Sequence, residues 1–254
     1  MRAACDPPVP APVDVGTVVH LVGGPFVTVD GRRHEVPEGS KRLLAFVALR
    51  RGRVERLHAA GVLWPDGGDG RAAGNLRSAL WRLRGAGIEA LVADKWTLAL
   101  RDDVVVDVHR IAEWANRLIA GRPDPGDLAL SRLAPEYLDL LPGWYDDWAI
   151  ADRERLRQRM LHAIEALSRE LTAVGRHADA IEAAMLAIHA DPLRESAQRV
   201  LVEAHLAEGN WAQARHAVLS FRSVIVHELG VEPSPTLTAL LHRAPPRAAV
   251  GARG

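Results

Sequence analysis

The spacing of apolar residues changes along the first hundred positions. Residues 17–36 contain short apolar, β-branched segments, and Asp30-Gly31 lies between two of them, which predicts strands joined by a hairpin turn. From Ser40 the apolar positions follow a helical period, with Ser40 as the expected N-cap. A second short helix follows, a third covers residues 71–84, and two further strands come after it. The order of strands, three helices and hairpin is typical of a winged helix-turn-helix.

Beyond residue 107 the strand character largely disappears and an internal repeat takes its place. Residues 161–192 align with residues 195–226 at an offset of 34, the period of tetratricopeptide repeats. Gly175 and Gly209 recur where paired helices need a tight turn, and small residues recur where the helices would touch. A chance match in an Ala-rich sequence is the alternative. The repeat predicts an all-α, tetratricopeptide-like domain after an α+β N-terminal winged helix-turn-helix.

These patterns divide the chain into four segments. We expect a disordered leader over 1–16, the winged helix-turn-helix over 17–107, the helical repeats over 108–242 and a disordered tail over 243–254. No apolar run reaches the roughly 20 residues that a membrane-spanning helix needs, and the Pro-rich start does not resemble a signal peptide. With a single cysteine, Cys5, an internal disulfide is impossible. We therefore expect a cytoplasmic protein with no membrane partner.

The charge is distributed unevenly, although the formal net charge is zero. Residues 1–102 carry a net charge of +4 and residues 103–254 a net charge of −4. Within residues 39–102, 12 Lys and Arg stand against 6 Asp and Glu, a net charge of +6. A basic region that coincides with a predicted winged helix indicates a nucleic-acid partner.

The third predicted helix separates an apolar stripe from a basic face. Leu76, Ala79, Leu80 and Leu83 fall on the stripe, which we expect to be buried. An ordinary solvated helix face is the alternative for the remaining residues, but an α-helix also fits the major groove of duplex DNA. On that hypothesis the face binds DNA through Arg71, Asn75, Arg77, Ser78, Trp81, Arg82 and Arg84.

Their order along the helix suggests a division of roles. Arg77, Ser78 and Trp81 are expected to face the floor of the groove, where base edges are read. Arg82 and Arg84 lie nearer the helix C-terminus and are expected to reach phosphates.

The sequence contains no recognisable motif for catalysis. It has no HExxH, GxSxG or GxxxxGK[ST] motif and no Cys/His cluster, so we expect no catalytic residue, metal or cofactor. The histidines of the repeat are interpreted as packing or surface residues. Trp114, Trp144 and Trp148 are interpreted as core residues of the helical domain.

Several short motifs of the N-terminal half resemble one family of regulators, the Streptomyces antibiotic regulatory proteins. In that family an OmpR/PhoB-type winged helix has a basic pair at the start of its first helix, a Leu-Trp-Pro/Gly at the end of its second, and a spaced Leu and Arg-Leu-Arg in its recognition helix. The corresponding residues are Lys41-Arg42, Leu63-Trp64-Pro65, and Leu76 with Arg82-Leu83-Arg84.

The C-terminal half resembles the bacterial transcriptional activator domain of the same family. Its landmarks are residues 140–157, 189–214 and 228–237, and the whole resemblance covers roughly residues 17–242. Lys95-Trp96 occupies the wing position where the family usually has Gly-Tyr.

The resemblance implies a DNA-binding transcriptional activator without a cofactor. Its expected partners are double-stranded promoter DNA with neighbouring repeats and RNA polymerase. The helical repeat is expected to provide either dimerisation, giving a homodimer, or regulatory contacts, since tetratricopeptide stacks form concave binding surfaces. Lys41 and Arg42, and Lys95 and Trp96 in the wing, join the candidate DNA-binding residues. The alternative is a protein–protein adaptor that uses its winged helix and helical repeats only as interaction modules.

Overall fold

A computed structural model describes residues 16–130, 133 and 135–242. The predictions of a disordered leader and tail therefore fall outside the described residues, apart from Gly16. Contacts within the chain define two compact units. The first contains the residues up to Glu113 together with Ala134–Arg157, and the second contains Trp114–Leu133 together with the residues from Gln158 onward.

The first unit opens with a four-stranded sheet, and three of its strands lie within residues 17–36, where the sequence predicts strands. Its strands are β1 (Thr17–His20), β2 (Phe26–Val29), β3 (Arg32–Glu35) and, much later in the chain, β7 (Val105–Val106). Their order in the sheet is β3-β2-β1-β7, with β7 parallel to β1 and the other pairs antiparallel. The β2–β3 hairpin turns at Asp30-Gly31 with φ values of 49° and 76°, which confirms the predicted turn.

Three helices and a second sheet complete the winged helix-turn-helix. The helices are α1 (Glu38–Leu49), α2 (Arg56–Leu63) and α3 (Gly68–Gly85). The second sheet has the order β4-β6-β5, formed by β4 (Val54–Glu55), β5 (Leu91–Ala93) and β6 (Thr97–Leu100). The wing is the antiparallel hairpin of β5 and β6. This order of elements confirms the predicted fold class.

The three helices enclose one apolar core. Leu43 and Phe46 of α1, Leu63 of α2 and Leu76 of α3 are all fully or almost fully buried in it. The predicted N-cap role of Ser40 is wrong, because α1 begins at Glu38.

Ser40 is instead completely buried inside α1. Its hydroxyl donates a hydrogen bond of 2.9 Å to the backbone oxygen of Ala79 in α3. A buried hydroxyl needs such a partner, so Ser40 fixes α1 and α3 against each other.

Residues 135–157 pack with the first unit, although they lie beyond the predicted boundary at residue 107. The indole of Trp148 meets the ring of Phe46 edge-on, with 5.3 Å between their centroids. Leu141 is completely buried, and its backbone N–H donates to the oxygen of Leu21. The interpretation of Trp148 as a core residue of the helical domain is therefore wrong, since its apolar partner lies in α1.

The second unit is helical and contains the predicted repeat. Besides parts of α4 (Asp107–Ile119) and α5 (Asp147–Ala173), it consists of α6 (His177–Ala190), α7 (Glu195–Ala207), α8 (Trp211–Leu229) and α9 (Pro235–Ala239). Trp114 is buried there, as expected, and its Nε1–H donates to the oxygen of Asp127.

The helix boundaries of the repeat coincide with the sequence period. α5 ends at Ala173 and α7 at Ala207, while α6 begins at His177 and α8 at Trp211, so both boundaries are displaced by 34 residues. Gly175 and Gly209 form the equivalent turns with φ values of 77° and 84°, a region that favours glycine. The tetratricopeptide-like repeat is thereby confirmed.

Candidate nucleic-acid interface

The helix α3 separates a buried side from an exposed side. Its buried residues are Ala72, Leu76, Ala79 and Leu83, as expected for the apolar stripe. Leu80 is only partly buried against the same core, which corrects its placement on the buried stripe. The opposite side carries Arg71, Arg77, Ser78, Trp81, Arg82 and Arg84, all exposed, with Asn75 half-buried beside them.

The exposed residues of α3 form two edges and a centre. At about 100° per residue, Arg77 and Arg84 lie roughly 20° apart on one edge, and Arg71 and Arg82 lie roughly 20° apart on the other. Trp81 projects from the centre between these edges, and 74% of its surface is exposed. Ser78 lies roughly 20° from Arg71, beside the second edge, and its hydroxyl donates to the backbone oxygen of Gly74.

The basic residues differ in whether they have a carboxylate partner. Six of the twelve Lys and Arg in residues 39–102 are ion-paired: Lys41, Arg42, Arg50, Arg51, Arg53 and Arg101. No carboxylate of the described residues lies within the 4.0 Å ion-pair distance of the cations of α3 or of Lys95 in the wing. The unpaired positive charge of this region is therefore concentrated on α3 and the wing tip.

Hydrogen bonds to Asp94 fix the wing tip. Its carboxylate accepts the backbone N–H groups of Trp96 at 2.7 Å and Thr97 at 2.6 Å, as well as the Thr97 hydroxyl at 2.8 Å. The backbone hydrogen bonds from Thr97 and Trp96 lower the pKa of Asp94 below its usual value. At the start of α2, the backbone N–H of Arg56 donates to the oxygen of Trp96 at 2.8 Å. The turn is thus held in place on two sides.

The wing tip presents a cation and an aromatic ring together. The Nζ of Lys95 lies 4.7 Å from the ring centroid of Trp96, within the range of a cation–π interaction. Trp96 remains 68% exposed. Both residues were predicted as wing contacts, and the fold brings them close to α3.

A groove of about 610 Å³ separates the wing tip from α3. Arg77 reaches into it from α3, and Lys95 and Trp96 border it on the wing. Leu57, at the start of α2, lines the same groove and is largely exposed. Sequence reasoning missed Leu57, since an exposed leucine has no distinguishing local pattern and its neighbours in the groove come from distant segments.

A smaller groove of about 240 Å³ lies on the other edge of α3. Arg71 and Asn75 line it together with Arg42 of α1. The guanidinium of Arg42 is ion-paired with the carboxylate of Asp146, and Lys41 pairs with Glu38 at 2.6 Å. These two predicted DNA-binding residues therefore carry charges that the protein already compensates.

Arg82 is exposed but lies against the start of α1. A side chain at Gly39 would collide with its guanidinium, so the glycine makes room for it. Arg82 is thereby brought to the same edge of α3 as Arg71, while Arg84 stays on the wing side.

The chemistry of this face is that of an anion-binding surface with apolar elements. In residues 16–130, 133 and 135–242, no group of three His, Cys, Asp or Glu side chains is arranged to hold a metal ion. The helices within those ranges also include none that is both long and apolar enough to cross a membrane. Cations along two edges of a helix suit the two phosphate strands that border a DNA groove.

Comparison with known proteins identifies the C-terminal part of the chain. Residues 129–244 match the family model of the bacterial transcriptional activator domain. The matched range contains the whole of the segment 135–157 that packs in the first unit, including Trp148, whose indole meets Phe46 of α1.

The curated relatives of the chain are regulatory proteins. It is 28% identical over 217 residues to the regulatory protein AfsR of Streptomyces griseus and 30% identical over 216 residues to AfsR of Streptomyces coelicolor. Each alignment covers 80% of this chain but only 22% and 21% of the respective relatives. The chain thus spans about a fifth of their length.

A solved structure has a similar fold. Mycobacterium tuberculosis EmbR, in complex with a low affinity phosphopeptide, superposes with a TM-score of 0.70 at 21% identity, covering 91% of this chain and 65% of EmbR. The activator domain match and the AfsR relatives confirm the resemblance to the Streptomyces antibiotic regulatory protein family, and EmbR shows that the fold is shared. The OmpR/PhoB type of the winged helix stays a prediction.

Proposed function

We propose that this protein is a transcriptional regulator whose first unit binds duplex DNA, with α3 in the major groove and the wing tip on the adjacent strand. The observation that supports the proposal is the concentration of unpaired cations on α3 and the wing. A helix of 18 residues is about 27 Å long, enough to follow the groove for several base pairs.

The two edges of α3 suggest which residues contact which strand. Arg77 and Arg84 share an edge with Lys95, so we propose that these three bind the phosphate strand between the major groove and the groove under the wing. Arg71 and Arg82 would bind the opposite strand, with Asn75 beside them. The sequence led us to expect that Arg77 contacts a base edge. Because Arg77 lines the groove beside the wing, we propose that it binds a phosphate instead.

Ion pairing suggests weaker contributions from α1. Lys41 and Arg42 would first have to give up Glu38 and Asp146 before they could compensate a phosphate. We therefore propose that they contribute less to DNA affinity than the unpaired cations of α3 do.

Salt dependence tests the DNA-binding proposal. Binding of the full chain to a random-sequence duplex, followed by fluorescence anisotropy between about 50 and 200 mM salt, should weaken steeply, with log Kd changing by about 0.9 per phosphate contact for each tenfold change in salt. Arg77→Ala and Arg84→Ala should each lower that slope by about 0.9 and weaken all sequences alike.

The matched control is Arg101→Ala, which removes the same charge from the same unit. Because Arg101 is ion-paired with Asp103 at 2.6 Å, its loss should leave the slope nearly unchanged. An affinity that stays constant over this salt range would refute the proposal. That result would favour the adaptor alternative. The exposed side chains of Trp81, Trp96 and Leu57 would then form a surface that docks a protein partner.

The activator domain supports a role downstream of DNA binding. We propose that its helical repeat provides contacts to RNA polymerase or to a second copy of the chain, since such repeats form extended binding surfaces. Transcription with purified bacterial RNA polymerase, from a promoter that contains a selected binding site, should increase when the full chain is added. An increase that survives Arg77→Ala and Arg84→Ala combined would contradict an effect through DNA.

A further inference from the structure

We propose that Trp81 sets part of the sequence specificity by packing its indole against the C5-methyl groups of thymines in the major groove. The inference rests on the proposed function and adds to it the chemical group that is recognised. It assigns a specificity-determining role to the side chain at the centre of the exposed face of α3.

The position of Trp81 between two edges of cations supports this role. Phosphate strands border the major groove on both sides, and the base edges form its floor. If the arginines of the two edges lie on the two strands, the residue between them points to the base edges. Trp81 is at that position, one turn from both Arg77 and Arg84.

The immediate neighbours of Trp81 leave it as the main side chain of the central strip. Gly70 and Gly74 precede it on the same side of the helix, and a Cβ at Gly70 would meet open space. The Ser78 hydroxyl donates a hydrogen bond to the backbone oxygen of Gly74 in the same helix. The space beside Gly70 is open, and at Gly74 only the end of the flexible Arg77 side chain comes within 3.8 Å of where a Cβ would be, so a close approach by the groove remains possible and the indole would reach its floor.

Trp81 is not among the described residues that form or pack against the apolar core of the three helices. It is 74% exposed, whereas Trp148 of the same unit lies edge-on against Phe46. Covering such a large, mostly exposed apolar side chain with a partner is favourable, because it removes apolar surface from water.

Thymine offers the apolar partner that an indole fits. Among the four bases, thymine alone presents a methyl group in the major groove, and apolar side chains recognise it by contact. An indole ring covers a wide area, so it can contact the methyl groups of one or two neighbouring thymines. We therefore expect thymines at fixed positions of the preferred sites.

The test removes only the methyl group. Duplexes are first selected from a random library by the full chain, and each thymine is then replaced singly by deoxyuridine, which pairs identically but lacks the methyl. At one or two positions the affinity should fall about fourfold, the effect of exposing one methyl-sized group. Trp81→Ala should bind the unmodified duplex more weakly and show no change at those positions.

Trp96→Ala is the matched control, because it removes a similarly exposed tryptophan from the wing of the same unit. This variant should keep the sensitivity to deoxyuridine, and thermal melting of both variants should match the parent chain. Salt-dependent binding without any sensitivity to deoxyuridine, or a sensitivity that survives Trp81→Ala, would overturn the inference and leave the proposed function standing. A chain that binds no duplex at all would overturn both.

Discussion

Leu141→Ala tests whether the segment 135–157 is part of the folded winged-helix unit. Leu141 is completely buried and its backbone N–H bonds to Leu21, the residue that follows β1. If that segment were only a connector, shortening the side chain would change little. If it belongs to the core of the first unit, the substitution should destabilise the helices that carry the DNA-binding residues.

The expected magnitude follows from the complete burial of the leucine. A buried Leu→Ala substitution lowers the free energy of unfolding by about 2–5 kcal/mol, because apolar contacts are lost and a cavity remains. The positive φ of 50° at Leu141 strains leucine and alanine alike, so it should not alter the difference. A typical domain has a free energy of unfolding of about 5–15 kcal/mol, so the loss would be a large part of the total.

Hydrogen exchange with mass spectrometry is the suitable assay, because it reports α1 and α3 separately from α7 and α8. Protection of the slowest amides in α1 and α3 should fall at least about thirtyfold, which corresponds to 2 kcal/mol. Amides of α7 and α8 should change little. The matched control is Leu201→Ala in α7, a buried leucine of the second unit, which should produce the reverse pattern.

Two results would refute the reasoning. Unchanged protection of α1 and α3 in the Leu141→Ala chain would mean that the segment adds nothing to the stability of the winged helix. Loss of protection confined to α7 and α8 would assign the segment to the helical repeat.

Two further predictions concern a buried carboxyl group and a repeat turn. Burial raises the pKa of Asp107 to about 6, so the folded state binds a proton more tightly than the unfolded state, and stability from this group falls as pH rises from about 4 to 6. Urea unfolding of Asp107→Asn should show a flatter pH dependence over that range, and an unchanged slope would contradict the assignment. Gly209 has a positive φ, so Gly209→Ala should lower the free energy of unfolding of the second unit by about 1–2 kcal/mol. The control Gly61→Ala, within α2, should not destabilise the first unit. Equal losses of stability for the two variants in thermal melting would refute the reasoning.

Periodicity along the chain was enough to predict the two sides of α3 and, apart from the short strand β4 between α1 and α2, the order of elements in the first unit. The apolar spacing of Leu76, Ala79 and Leu83 already separates a buried stripe from a basic face. The offset of 34 between Gly175 and Gly209 predicted the helix boundaries of the repeat for the same reason. Both are local properties, because helical geometry and the need for positive φ act on neighbouring residues.

The sequence was less informative wherever a residue depends on a distant partner. Serine is a residue type that often occupies the N-cap position of a helix, but the hydroxyl of Ser40 donates to the backbone oxygen of Ala79, 39 residues away. The tryptophan at 148 was assigned to the helical domain, since nothing in the local pattern indicates that it would pack on Phe46.

The distribution of free charge on the first unit was also decided by tertiary structure. The sequence determined that residues 39–102 are basic and that α3 has an arginine face. Packing decided that Arg42 meets Asp146, a residue 104 positions away, while Arg77 has no carboxylate within ion-pair distance among the described residues. The physical reason is that a charge is available to DNA only when no other charge compensates it, and compensation depends on distances between side chains that only the folded chain brings together.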